Sequence, residues 1–552
     1  MYRTSPIYIG LLLASLLGLN SCILQEDVDL VVHNATIYTV DNAFSTQQAM
    51  AIKDGKIVEL GPEHAIRNKY NGATTIDAGK KTVYPGLIDA HSHFLGYGLS
   101  LQKVDLTGTQ SFQEVLDRVV AFSKEHPTGW VTGRGWDHTD WAIKEFPNKA
   151  ALDSLFPDRP VAVRRVDGHA VLVNQVALDA AGITATTTVP GGEIQLTNGA
   201  LSGILLDNAY DLVDAVIPAP DEATKQKALL QAQQNCWAVG LTTVCDAGLD
   251  RAEIELIDQM HQSGNLKMRI YAMISDKPEN LDHYLKVGPY KTERLNVRSF
   301  KFYADGALGS RGACLIDPYS DIHDRTHHGL TIRDADHYRK YATELNNAGF
   351  QMNTHCIGDS ATRTLLKIYA EELKGITDNR WRIEHAQVMH PDDFYLFGEY
   401  AIIPSVQPTH ATSDMYWAAE RLGPDRVQTA YAYKQLFEQN GIIALGTDFP
   451  VEGINPINTF YSAVFRKDAN QFPESGFQPE NALTREQALK GMTIWAALAG
   501  FEESEKGSLE VGKMADFVIL DRDIMKAPED QLLDTKVVYT CVGGEIVFDA
   551  KQ

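Results

Sequence analysis

The stretch TVYPGLIDAHSH, residues 82–93, decides the fold. It is an apolar run of strand length that ends in His91 and His93. Residues two apart on a strand project from one face, so both imidazoles point the same way and Asp89 shares their side. The same grammar recurs along the chain, with Lys301 in VRSFKFYADG, His355 in FQMNTH, His385 in RWRIEH and Asp448 in IIALGTD. Metal-ligating residue types at successive strand ends imply a single site at one face of a parallel barrel. Hydrolytic metal chemistry needs such clustered N and O ligands with coordination positions left open.

Outward from this stretch, the middle of the chain alternates strand and helix. GLTTVCD, MRIYAMIS, AIIPSVQ and IIALGTD are further strand candidates. ATKQKALLQAQQNCWAVG and DADHYRKYATELNNAG are amphipathic crossover helices, the second ending at Gly349. DSATRTLLKIYAEELKG is a third, with Asp359 or Ser360 as its cap. Eight such units predict an α/β fold, a (β/α)8 TIM barrel over residues 85–504. Residues of about 96–219 exceed any ordinary connection between the first two strands and read as an inserted subdomain over the mouth. Both ends are β-rich, with turns at Asp54-Gly55 and Gly543-Gly544. Residues 22–84 and 505–552 therefore read as one composite β-sandwich.

The 552 residues carry 50 basic and 72 acidic side chains, a formal charge of −22, which argues against electrostatic binding of nucleic acid or anionic lipid. Arg3 and the apolar run ending at Cys22 read as a targeting segment, too short for a comfortable membrane span. Leu19-Asn20-Ser21-Cys22 resembles a bacterial lipobox, making residues 1–21 a lipoprotein signal peptide and Cys22 the lipidated mature N-terminus. Ile23-Leu24 lacks the Asp that retains many lipoproteins in the inner membrane. The expected location is the bacterial cell envelope, at the outer membrane, through the lipid anchor alone. The five remaining cysteines are widely spaced and form neither a disulfide framework nor a thiolate zinc site.

Two side-by-side buried imidazoles need a common partner, and a divalent metal serves. An inward Lys301 also needs an explanation, because a buried ammonium is costly. A salt bridge to Asp305 is one, and from the residues alone the favoured one. Reaction of the neutral amine with carbon dioxide, giving an anionic bridging carbamate, is the other. Asp448 could instead cap a helix, but Pro450 and Gly453 would break such a helix in its first turns. Substrate-contact candidates are Asp305, Arg311, His169 in DGH and His410 in QPTH. Trp136, Asp137 and Trp141 are pocket walls of the insertion or its own core.

Taken together, His91-Ser92-His93, Lys301, His355, His385 and Asp448 resemble the full ligand set of the amidohydrolase superfamily, of the binuclear carboxylated-lysine type. FKFYADGALGSR, NTHCIGDSA, RIEHAQ, LGTDFPV and GSLEVGKMADFVILD resemble its amidohydrolase-3, YtcJ-like branch. The resemblance spans nearly the whole mature chain, with the motifs in order. It implies hydrolysis of a non-peptide C–N bond in a small amide, of the N-acyl or N-formyl type. It also implies two divalent ions, zinc by default, with iron, manganese, cobalt or nickel able to fit. His91, His93 and Asp448 would hold one ion, His355 and His385 the other, and carboxylated Lys301 would bridge them. Asp448 would be the catalytic proton carrier. The resemblance also tips Lys301 from salt bridge to carbamate. A mononuclear deaminase on the same fold and a non-catalytic surface lipoprotein are the alternatives. A homodimer is compatible with the sequence.

Overall fold

The computed structural model describes residues 25–138, 141–165, 170–189, 192–323, 326–375 and 378–551. The leader 1–21, Cys22 and His169 lie outside the described residues. Eight parallel strands form the barrel: β1 (Leu87–Ser92), β2 (Leu241–Leu249), β3 (Arg269–Ser275), β4 (Leu295–Tyr303), β5 (Gln351–Cys356), β6 (Arg382–His385), β7 (Ile403–Val406) and β8 (Ala444–Leu445). They neighbour one another in chain order. β1 and β3 are buried along their whole length. Parallel strands covered on both faces are apolar throughout, which is why these read as unbroken runs. The seam between β8 and β1 is closed by side chain and loop. Asp89 accepts hydrogen bonds from the Thr447 N–H at 3.0 Å and its hydroxyl at 2.7 Å, and the Asp448 N–H donates to the His91 carbonyl at 2.8 Å.

The crossover helices begin where the sequence offers a cap. Asp221 accepts from the Thr224 N–H ahead of Glu222–Ala238, and Asp334 from the His337 N–H ahead of Ala335–Ala348. The second helix stops at Gly349 in the left-handed region, as expected. The helix Asp359–Glu372 departs from the sequence reading. Its cap position is Gly358, and Asp359 instead accepts the Ile316 N–H at 2.9 Å. A Cβ at Gly358 would stand 2.0 Å from the Cys314 carbonyl oxygen, so this close approach requires glycine.

Both chain ends build a two-sheet unit beside the barrel. One sheet contains Glu26–His33, Ala49–Lys53, Lys56–Gly61 and Tyr70–Asp77; the other joins Thr82–Pro85 to Phe517–Leu520, Val537–Val542 and Glu545–Asp549. Leu30, Val32, Ile52 and Ile76 share one core with Val83, Phe517 and Ile519. Thr82–Pro85 pairs antiparallel with Phe517–Leu520, and one residue later the chain enters β1. Arg269 of β3 ties the barrel to this unit, with Nε and Nη2 donating to Asp516 at 2.7 and 3.1 Å, all buried.

The insertion after β1 is a six-stranded mixed sheet running from Val104–Asp105 to Ala200–Asp207, with a core on each face. Trp136 and Trp141 belong to one of these cores. Their indole N–H groups donate to the Val163 and Thr109 carbonyls at 2.8 and 3.0 Å. Asp137 pairs with Arg165 at 2.6 Å. These three residues therefore hold the insertion together, and the reading of them as pocket walls is set aside. All five described cysteines are free thiols.

Candidate metal centre

The ends of β1, β4, β5 and β6 and the turn after β8 bring the sequence's candidate ligands to one place. Register does this locally: Tyr303 sits beside His355, and Cys356 beside His385, so neighbouring strands deliver ligands at the same level. Three imidazoles are oriented by a partner on Nδ1. His91 Nδ1 faces the Glu384 carboxylate at 2.5 Å, His93 Nδ1 the Ala247 carbonyl at 3.0 Å, and His385 Nδ1 the Gln407 amide oxygen at 2.7 Å. Oxygens of these kinds accept, so Nδ1 carries the proton and Nε2 is left with a lone pair. His91 Nε2 lies 3.7 Å and His93 Nε2 3.1 Å from Asp448 Oδ1.

Two sets of donors converge, each with ligand atoms within 4.8 Å of one another: His91, His93 and Asp448, and His385, His410 and Asp448. The second set differs from the expected pairing of His355 with His385. The His355 ring does lie 4.5 Å from that of His385, but its Nε2 is 3.8 Å from Asp305 and joins neither set. His410, expected only as a substrate contact, stands 3.7 Å from Asp448. Asp448 Oδ1, His355 Nε2 and His410 Nε2 are buried without a hydrogen-bond partner. Buried polar atoms are rarely left so, and lone pairs converging from both sides of a carboxylate fit a divalent cation.

Lys301 is buried with Nζ 2.9 Å from His91 Nε2. It does not pair with Asp305, as the residues alone had favoured. Asp305 is occupied by the backbone N–H groups of Ile357, Gly358 and Cys314 at 3.0, 2.7 and 2.8 Å. It ties the turn after β4 to the turn after β5 and serves as scaffold. Arg311 is likewise committed, its guanidinium gripping Asp321 at 3.1 and 2.7 Å, and is not directed at substrate.

The electrostatics of the centre are set by burial. Burial, opposed by Glu384 and Asp448, brings the Lys301 ammonium down to about 8. Burial and then Lys301 push His91 down to about 4 and His355 to about 3, so both are neutral, the form a metal requires. Burial alone would raise the Glu384 carboxyl, but Arg382 and then His91 outweigh it and bring it to about 2. Arg382 reaches Glu384 Oε1 with Nε at 2.7 Å, and the Ala90 carbonyl and Ser405 hydroxyl at 2.5 and 2.8 Å. The relay Arg382–Glu384–His91 was missed in the sequence. Its one signal was two opposite charges within an otherwise buried strand, RIEH.

The centre opens into a cavity of about 360 Å³ lined by Tyr303, Leu308, Ile357, Trp417 and Val451 as well as by the ligands. A family model, the Amidohydrolase family, matches residues 74–548. The chain belongs to the amidohydrolase family. Among relatives of this amidohydrolase, "Protein LONG AFTER FAR-RED 3" of Arabidopsis thaliana is 31% identical, covering 94% of this chain and 91% of its own. "Putative amidohydrolase YtcJ" of Bacillus subtilis is 29% identical over 94% and 99%, and "N-substituted formamide deformylase" of Arthrobacter pascens 27% over 94% and 98%. A metal-dependent hydrolase from Pyrococcus horikoshii has a similar structure, with TM-score 0.77 and 26% identity over 91% and 99% of the two chains. The amidohydrolase is thus a metal-dependent hydrolase on a barrel scaffold.

Proposed function

We propose that this amidohydrolase cleaves a non-peptide C–N bond in a small N-acyl or N-formyl amine. The observation that carries the reading is the pair of donor sets sharing Asp448 at the floor of a largely apolar cavity. The kinship with an N-substituted formamide deformylase points to the same bond. His91, His93 and Asp448 would hold one divalent ion, zinc by default, and His385, with His410 or His355 and Asp448, a second. Lys301, a buried amine that readily gives up its proton, would bridge them as the carbamate formed with carbon dioxide. Such ions supply Lewis acidity toward a carbonyl and make bound water acidic near neutral pH. Asp448 accepts the proton of the attacking water and returns it to the departing nitrogen. The Arg382–Glu384 pair fixes His91.

The test is a screen for amine release from N-formyl amines, N-acyl amines, acyl amino acids and cyclic ureas. It uses metal-loaded protein lacking residues 1–22, with metal content measured in parallel. Turnover at a stoichiometry near two metals per chain is expected, with Lys301→Ala and Asp448→Asn losing most of it. One metal with ammonia release would favour a deaminase, and absence of metal and turnover a binding protein. Full activity in Asp448→Asn would remove its proton role. The LNSC motif supports the further reading that Cys22 anchors the enzyme to a bacterial membrane. Cys22→Ala should abolish fatty-acid labelling and release the protein to the soluble fraction.

A further inference from the structure

The helix Pro408–Asp414 presents His410 and Asp414 to the cavity over the ligands, and Thr409, Thr412 and Ser413 to a second cavity of about 380 Å³. Glu452 borders both. Beyond the ligands, the two cavities are marked by three carboxylates. Asp414 and Glu452 line the first, Glu452 and Asp468 the second. Each takes hydrogen bonds from neutral donors. Asp414 accepts from the Tyr431 hydroxyl at 2.8 Å and the Gln387 amide at 3.2 Å, and Glu452 from the Ser413 hydroxyl at 2.6 Å. Asp468 accepts from the Tyr416 hydroxyl at 2.5 Å and the Asn470 and Phe472 N–H groups at 2.8 and 3.0 Å.

Among the described residues none of the three is paired with a lysine or arginine. Carboxylates nearby are: Asp321 with Arg311 and Arg421, and Glu529 with Lys467. The lysines and arginines that line either cavity, again among the described residues, reduce to Lys301 at the metal ligands. The second cavity is also bordered by Thr409, nine-tenths buried, whose hydroxyl lacks a protein partner. Half-buried carboxylates lining a cleft without a counter-charge attract a cation and repel an anion. A buried hydroxyl left over beside them marks a place for a polar ligand group.

We propose that the cleft selects amides whose far end carries a protonated amine, seated between Glu452 and Asp468 while Leu308, Trp417 and Val451 pack against the chain between. This deepens, and rests on, the hydrolase reading above. It assigns the substrate class as a mono-acylated or mono-formylated diamine, and sets acyl amino acids with a free carboxylate against it.

The test measures binding, which needs no turnover. Metal-loaded protein is titrated calorimetrically with the mono-N-methanesulfonyl derivatives of 1,6-diaminohexane, hexylamine and 6-aminohexanoate, three uncleavable amide mimics of one length whose far ends are an ammonium, a methyl and a carboxylate. The diamine derivative should bind on the order of tenfold more tightly than that of 6-aminohexanoate, with that of hexylamine between them. In Glu452→Gln combined with Asp468→Asn that order should flatten to within about threefold. Equal affinities in the unmutated protein, or a preference for the carboxylate, overturn the assignment, and this comparison stands even if the double variant fails to fold. A protein that ranks the probes as expected yet releases amine from no amide refutes the hydrolase reading alone. One that hydrolyses neutral or acidic amides in preference to mono-acyl diamines refutes this inference alone.

Discussion

At the scale of single residues, the centre depends on groups that touch no substrate. Glu384 accepts a hydrogen bond from the Nδ1–H of His91 and is itself held by Arg382, so His91 is fixed in the tautomer and angle a metal needs. Glu384→Gln keeps the shape and loses the charge. Metal affinity should fall by about 10–100-fold, read by competition with a chromogenic chelator, while the far-ultraviolet circular dichroism stays unchanged. The ligand residues were legible because each ends an apolar run, and a polar residue there has few reasons to exist. Their partners were not. The sequence shows that Glu384 and Arg382 lie on one strand, but not that His91 stands opposite. For the same reason the residues alone favour pairing Lys301 with the nearest acid, Asp305, which the fold commits to three backbone amides. His410 entered only as a substrate contact, since nothing in QPTH reveals that the segment folds back over Asp448.

At the scale of elements, the strands announced themselves by unbroken apolar runs, and the helices by amphipathic periods such as the one closed by Gly349. The cap of Asp359–Glu372 was misplaced because a tertiary approach, Gly358 against Cys314, decides it. Gly358→Ala should therefore lower the melting temperature well beyond an exposed Gly→Ala change such as Gly453→Ala, whose added Cβ meets open space. The tie between β3 and the two-sheet unit gives a second test. Burial alone would raise the Asp516 carboxyl. Arg269, aided by the Gly543 N–H, outweighs it and leaves it below the ordinary value of 3.8. A depressed carboxyl contributes stability that is complete above its unfolded value and lost as pH falls through the folded one. The protein should thus lose this contribution from below about pH 4. Asp516→Asn, which strands a buried guanidinium, should cost about 3–5 kcal/mol at neutral pH in denaturant unfolding.

At the scale of the whole molecule, a metal bound only by the folded state stabilises it by mass action. Removing it with a chelator should lower the melting temperature, and adding back zinc should restore it in proportion to the logarithm of free metal. A melting curve indifferent to the chelator would count against the centre. The barrel and the contribution of both termini were readable because the period of the hydrophobic pattern changes at the boundaries. The insertion was readable only as an excess of chain. Its six-stranded sheet pairs segments as far apart as Ala170 and Leu206 through short strands, and neither spacing nor composition specifies such pairings. The tryptophans that looked like pocket walls are buried in that sheet's core.

The pairing of Thr82–Pro85 with Phe517–Leu520 places the partner of one strand more than four hundred residues later in synthesis. Until residues 517–520 are made, the nascent polypeptide must keep one edge of a sheet open to any competing strand. Maturation is therefore all or nothing with respect to length. Chains stopped short of residue 517 should accumulate as insoluble aggregates, however complete their reactive centre, and supplying the missing tail as a separate peptide should rescue a soluble fraction.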